Sequence, residues 1–223
     1  MQNDETTKKH RRDFLALAAT ATAGLGAMLP MAGTAAAATG PTTDFTRFID
    51  SIPGKHKQVT DWPDLNHGMG LIYTLSFLMT GPEAYGVPAT DIGALLVIRH
   101  KNIPIVMNDA MWSKYKLGEV FEIMDPDTGA PALRNPYYLK PGGLPFQEAA
   151  LQKLIDGGVK VAACNLALTF FSGMVAKAAE MDPEAVKAEW LAGVLPGIKV
   201  VPSGTVACNG AVARGGCAYL FAG

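Results

Sequence analysis

The chain has 223 residues, 49% of them apolar, with 19 basic and 20 acidic side chains, a formal charge of −1 and three cysteines. No basic field and no Lys/Arg run interleaved with aromatics is present to grip a phosphate backbone, which argues against nucleic acid as a partner. Three cysteines are too few to staple a mini-domain, and a body of this size does not need staples.

Residues 1–38 read as a removable leader. A polar, charged start is followed by Arg11-Arg12-Asp13-Phe14-Leu15, a mildly apolar Ala/Gly/Leu stretch to Leu29, and small residues Ala35 to Ala38. That order is a secretory signal, and the paired arginines make it the twin-arginine type. No other stretch is long and apolar enough to span a bilayer, so the expectation is a periplasmic protein with no membrane span after cleavage.

The rest of the chain reads as one domain. Residues 39–56 look like an extended arm pinned by Phe45, Phe48 and Ile49, and 57–223 as an α/β body with an enlarged 108–145 segment. A short strand over Gln58–Asp61 precedes a helix over Asn66–Met79, where Leu65, Met69, Ile72, Tyr73 and Phe77 repeat at the helical period. Ala94–Ile98 is a short, continuously apolar run, as expected of a strand covered on both faces. Beyond Pro145 a helix over 146–155, a strand over Val159–Ala163 ending at Cys164-Asn165, and a helix over 166–179 follow. Asp182-Pro183 opens another helix, with Asp182 as its cap. A strand over 198–201, a helix over 205–213 and a strand over 218–221 complete the alternation. This pattern predicts a single-domain three-layer α/β sandwich with about five mostly parallel strands, of the doubly wound, flavodoxin-like kind.

In such a sheet, ligands gather at the carboxyl ends of the strands. Cys164 falls at one of them, before the first turn of a helix whose free N–H groups and dipole favour thiolate over thiol. The chemistry this suggests is nucleophilic: the thiolate takes a sulfane sulfur, holds it as a persulfide and passes it to an acceptor. A buried, inert core cysteine is the alternative. His100 follows the 94–98 strand, at the same edge, where it could pair with the thiolate or carry a proton. Arg99 beside it, and Asn165 next to the cysteine, are the candidate substrate-binding residues, Arg99 for an anionic sulfur compound. Cys208 and Cys217 would lie about 13 Å apart on one helix, too far for a disulfide. The Gly215-Gly216 turn could instead fold the chain back, so a disulfide and a helix-core Cys208 both stand. No glycine-rich phosphate loop or metal-ligand spacing appears, so neither a cofactor nor a metal is expected. The methionines leave haem or copper binding as a remote alternative.

The segments Gly157–Asn165, Leu195-Pro196-Gly197-Ile198-Lys199-Val200-Val201-Pro202-Ser203-Gly204 and Gly216-Cys217-Ala218-Tyr219-Leu220 together resemble the DsrE/DsrF-like family, small α/β proteins of sulfur oxidation and sulfur relays. The resemblance implies a five-stranded parallel sheet with helices on both faces. It places Cys164 where active members carry sulfur, and implies a homo-oligomer, trimer or hexamer, with a sulfur donor or acceptor protein or a small sulfur compound as partner. Trp112, Tyr115 and Tyr137-Tyr138 are the candidate interface residues. This chain lacks the family's Gln near Ala213 and its aromatic at Cys217, and some members without the cysteine are structural subunits. A non-catalytic binding or assembly module for a periplasmic redox partner is therefore the competing expectation.

Overall fold

Ile92–Ile98 has apolar residues or glycine at every position, and all seven are buried, so the strand forms the middle of a sheet covered on both faces. The computed structural model describes residues 43–223; the expected leader and its cleavage site lie outside the described residues. In chain order the elements are α1 (Asp44–Asp50), β1 (His56–Trp62), α2 (Met69–Tyr85), β2 (Ile92–Ile98), α3 (Asp109–Lys114), α4 (Leu117–Val120), α5 (Leu151–Asp156), β3 (Lys160–Cys164), α6 (Asn165–Ala178), α7 (Pro183–Ala192), β4 (Ile198–Val201), α8 (Gly204–Ala213) and β5 (Ala218–Phe221). The five strands are all parallel, in the order β4-β3-β2-β1-β5.

Strand periodicity assigns the two faces. Ala94, Leu96 and Ile98 of β2 join Leu71 and Leu75 of α2 and Leu168, Phe171 and Val175 of α6 in the larger core. Leu95 and Val97 point the other way and pack with Val59, Ala162, and Ala207, Cys208 and Ala211 of α8. The result is a three-layer α/β/α sandwich. Helix α2 approaches β1 so closely that a Cβ on Gly70 would lie 2.3 Å from Cγ of Trp62. A buried hydrogen bond from Thr74 to Thr60 at 3.0 Å ties the two elements.

Several boundaries depart from the periodicity. The expected extended arm contains α1, capped by Thr43, and Ile49 is fully buried against the smaller core with Phe45 and Phe48 beside it. Helix α2 runs past Gly81 and Pro82 because Gly81 packs on Ile92 of β2, and it stops at Gly86, whose φ of +63° is left-handed. The 108–145 segment is folded into the body. Asn135 Nδ2 donates to the carbonyls of Ile105 at 2.7 Å and Met107 at 3.0 Å, anchoring the segment to the residues after β2.

This folding corrects the interface expectation. Trp112 is fully buried and donates to the Pro104 carbonyl, Tyr115 and Tyr137 are buried, and Tyr138 bonds to Gln152, so these rings serve the chain's own core. The exposed large apolar residues of α6 are Leu166, Phe170 and Met174, spaced four apart along one ridge.

Asp182 caps α7 as expected, accepting from the Ala185 N–H at 3.1 Å. Asp182→Ala should lower stability by about 1 kcal/mol, read as a urea-midpoint shift at unchanged slope. No change at all would mean that the cap contributes nothing.

Candidate functional site at the carboxyl edge of the sheet

The connections after β1, β2 and β3 run over the α2/α6 face, whereas the connection after β4 crosses to the α8 face. The connections leaving adjacent strands therefore part between β3 and β4, the topological switch point at which a crevice opens in sheets of this kind. The last pair in that register is Cys164 with Val201. Cys164 thus stands at the switch point. It is also the N-cap of the 14-residue α6, with φ −75° and ψ 111°, and its Sγ accepts the Ala167 N–H at 3.4 Å. That N–H belongs to the first turn of α6, so the sulfur sits at the amino end of the helix. The thiol is 6% exposed, and Asn165 beside it is half-buried as the first residue of α6.

Continuing the pair Ile98 with Ala163 by one residue sets Arg99 level with Cys164. Arg99 lies along the start of α8, so closely that a Cβ on Gly204 would meet its side chain at 2.7 Å. Its guanidinium forms a two-pronged pair with Asp61 of β1, Nε to Oδ1 at 2.7 Å and Nη2 to Oδ2 at 2.9 Å. Tyr219 of β5 donates its hydroxyl to Asp61 Oδ2 at 2.6 Å. The Asp61 side chain is 3% exposed and that of Arg99 24%. Arg99 is therefore held rigid, with most of its charge committed to Asp61, and the hydrogen bond to that carboxylate raises its pKa further.

Cys208 of α8 faces the same carboxylate. Burial, and then the negative charge of Asp61, push its thiol from the ordinary 9.0 up to about 12. Burial and the hydrogen bond to Asp61 push the Tyr219 hydroxyl from 10.0 up to about 12. Both groups keep their protons in the fold at pH values where the unfolded chain has lost them. In that window the native state binds more protons, so stability falls as pH rises. The urea midpoint should stay level up to pH 9 and decline between pH 9 and 12. In Cys208→Ala the earlier part of that decline should shrink, the buried Cys217 thiol supplying the remainder; a midpoint flat across the interval in the parent protein would contradict the assignment.

His100 sits at the same end of the sheet, exposed, with a φ of +55°, and its ring meets Phe171 of α6 edge-on at a centroid distance of 6.2 Å. No hydrogen bond joins it to Cys164. Of the four residues picked out from sequence, the fold thus brings Cys164, Asn165 and Arg99 to one edge of adjoining strands and turns His100 toward the side of α6. Cys208 and Cys217 are free thiols in the smaller core, Cys208 on the inner face of its helix as one of the two alternatives held. Among the described residues, no group of three His, Cys, Asp or Glu is placed to hold a metal. None of their helices is long and apolar enough to cross a membrane.

Asp61 and Tyr219 were not picked out from sequence. The available signal for Asp61 was a carboxylate next to Trp62 at the end of a strand, where a buried charge requires a partner; Tyr219 carried none.

The fold and the edge define a parallel α/β protein with a cysteine capping a helix at its switch point. No known protein-family model matches the chain, and no curated protein is significantly similar to it.

Proposed function

We propose that this protein is a periplasmic sulfur carrier of the DsrE/DsrF-like kind, holding sulfane sulfur as a persulfide on Cys164. The observation that carries the reading is the position of that cysteine, the one of the three thiols at the β3/β4 switch point, with its sulfur accepting the Ala167 N–H of α6. In the loading step the Cys164 thiolate attacks the sulfane sulfur of thiosulfate or a polysulfide. An S–S bond forms to Sγ, the donor's S–S bond breaks, and sulfite or the shortened polysulfide leaves with the electron pair. In unloading, an acceptor thiolate attacks the outer sulfur and Sγ departs as thiolate, so no external oxidant or reductant is consumed. Arg99, fixed by Asp61 and level with Cys164, guides an anionic donor by its residual field, and Asn165 is within the same first turn. Export through the twin-arginine route delivers the folded domain. Assembly into a trimer or hexamer would cover the α6 ridge.

A second reading is favoured by one observation, the 6% exposure of Cys164: a non-catalytic module for a periplasmic redox partner, with the cysteine serving only as a helix cap. Intact mass of the reduced, folded protein after exposure to thiosulfate or polysulfide separates the two. The carrier gains sulfur atoms that reductant removes. A folded protein that gains none is the binding module.

A further inference from the structure

A groove of about 620 Å³ lies away from the thiol, between the second half of α6 and the α3–α4 hook, floored by Phe121, Phe171 and Val175 and flanked by Met174 and Met181. Phe171 follows Cys164 by seven residues, a rise of about 10 Å along the helix, so this is a separate site. Its size falls within the range, about 300–1,000 Å³, of pockets that bury small molecules, and its floor is aromatic and aliphatic.

The rim leaves over one charge of each sign. Lys114 pairs with Glu189 at 2.6 Å and Lys116 with Glu119 at 3.7 Å, so those four cancel. Lys101 and Glu122 line the same groove with no ion-pair partner among the described residues, and they do not pair with each other. An ammonium and a carboxylate thus stand apart at the edge of an apolar floor. A simple anion would gain at Lys101 what it loses at Glu122, and a simple cation the reverse, whereas a molecule that carries both charges gains at both.

The backbone marks the same two places. Six non-glycine residues of the described chain have a left-handed φ, and four of them border the groove. Lys116 at +48° and Glu122 at +54° line it, His100 at +55° precedes Lys101, and Glu180 at +54° lies between Ala179 and Met181. That conformation is unfavourable for side chains of this size and gathers at ligand clamps, where the surrounding structure holds it in place. One unmatched charge sits on such a residue and the other follows one.

We infer that this groove binds a small zwitterion with an apolar body, a dipeptide of aromatic or aliphatic residues with free termini. Its carboxylate meets Lys101, its ammonium meets Glu122, and its side chains lie on Phe121, Phe171 and Val175. Because Lys101 and Glu122 do not reach each other, the ligand's two charges are separated, as they are at the ends of a dipeptide. The thioethers of Met174 and Met181 adapt to side chains of different shape.

Calorimetric titration of the folded mature protein with the dipeptide phenylalanyl-leucine tests this, against the same dipeptide acetylated at its amino end, amidated at its carboxyl end, or both. The free dipeptide should bind, and each singly blocked form about fivefold more weakly. Lys101→Glu and Glu122→Lys should each weaken the free dipeptide by at least that factor, and the double variant should recover most of the loss, since a zwitterion turned end for end meets the same two charges. Ala178→Trp, which fills the groove from its wall, should abolish binding. All three positions are exposed, and circular dichroism checks that each variant folds. No binding of the free dipeptide, equal binding of the free and singly blocked forms, a double variant no better than the single ones, or binding unaffected by Ala178→Trp would each overturn the inference. Tightest binding of the doubly blocked form would also overturn it, and would make the groove a docking surface for an internal segment of another protein. Cys164→Ser should leave dipeptide binding intact, so this result stands apart from the sulfur-carrier reading.

Discussion

Asp61→Ala is expected to be the most damaging single change at the carboxyl edge, lowering stability by about 3 kcal/mol. The carboxylate is 3% exposed and accepts from Arg99 twice and from Tyr219 once, with the Cys208 thiol facing it. Removing it strands a guanidinium that is only a quarter exposed and leaves the Tyr219 hydroxyl without its acceptor. An uncompensated buried charge costs more than the pair contributed, which is why the single deletion should exceed the double change Asp61→Leu with Arg99→Met. Guanidinium unfolding of the three proteins reads the difference. A loss below about 1 kcal/mol in the single variant would mean that water already satisfies Arg99, as at an ordinary surface pair.

The second large effect is functional. Cys164→Ser should lose sulfur loading completely, because an alcohol is not a nucleophile toward sulfane sulfur, while the serine hydroxyl keeps a cap on α6 and costs the fold less than about 1 kcal/mol. Arg99→Lys should retain loading but slow it, since an ammonium cannot reproduce the two-pronged hold on Asp61. A stable Cys164→Ser protein that loads sulfur at the parental rate would place the chemistry elsewhere.

The sheet was legible because its signal is local and redundant. The run of apolar residues in β2, the Gly157-Gly158 stop before β3, and the Asp182-Pro183 start of α7 each state their role within a few residues. Cys164 was legible for the same reason, as the residue at which an apolar strand gives way to a helix. The rest depended on contacts distant in sequence. Helix α2 outruns its own periodicity because Gly81 meets Ile92, and α1 forms because Ile49 has a core to enter. The aromatic residues Trp112, Tyr115 and Tyr137 looked like interface material only because the 108–145 segment carries no clear period. Its fold is held by Asn135, whose bonds to Ile105 and Met107 span some 30 residues. Asp61, Arg99, Tyr219 and Cys208 come from four separate elements, and only the strand order, which sets β5 beside β1, brings them together.

The same geometry assigns different work to the three thiols. All three are buried, but Cys164 lies at the switch point and accepts the Ala167 N–H, whereas Cys208 and Cys217 sit in the smaller core, where burial raises the pKa of each thiol. A buried thiol held protonated is a poor nucleophile. The decisive measurement is therefore site-resolved: load the folded protein with polysulfide, alkylate, digest, and locate the extra sulfur by tandem mass spectrometry. The account predicts persulfide on the Cys164 peptide and none on those containing Cys208 or Cys217; sulfur spread over all three, or confined to Cys208, would contradict it.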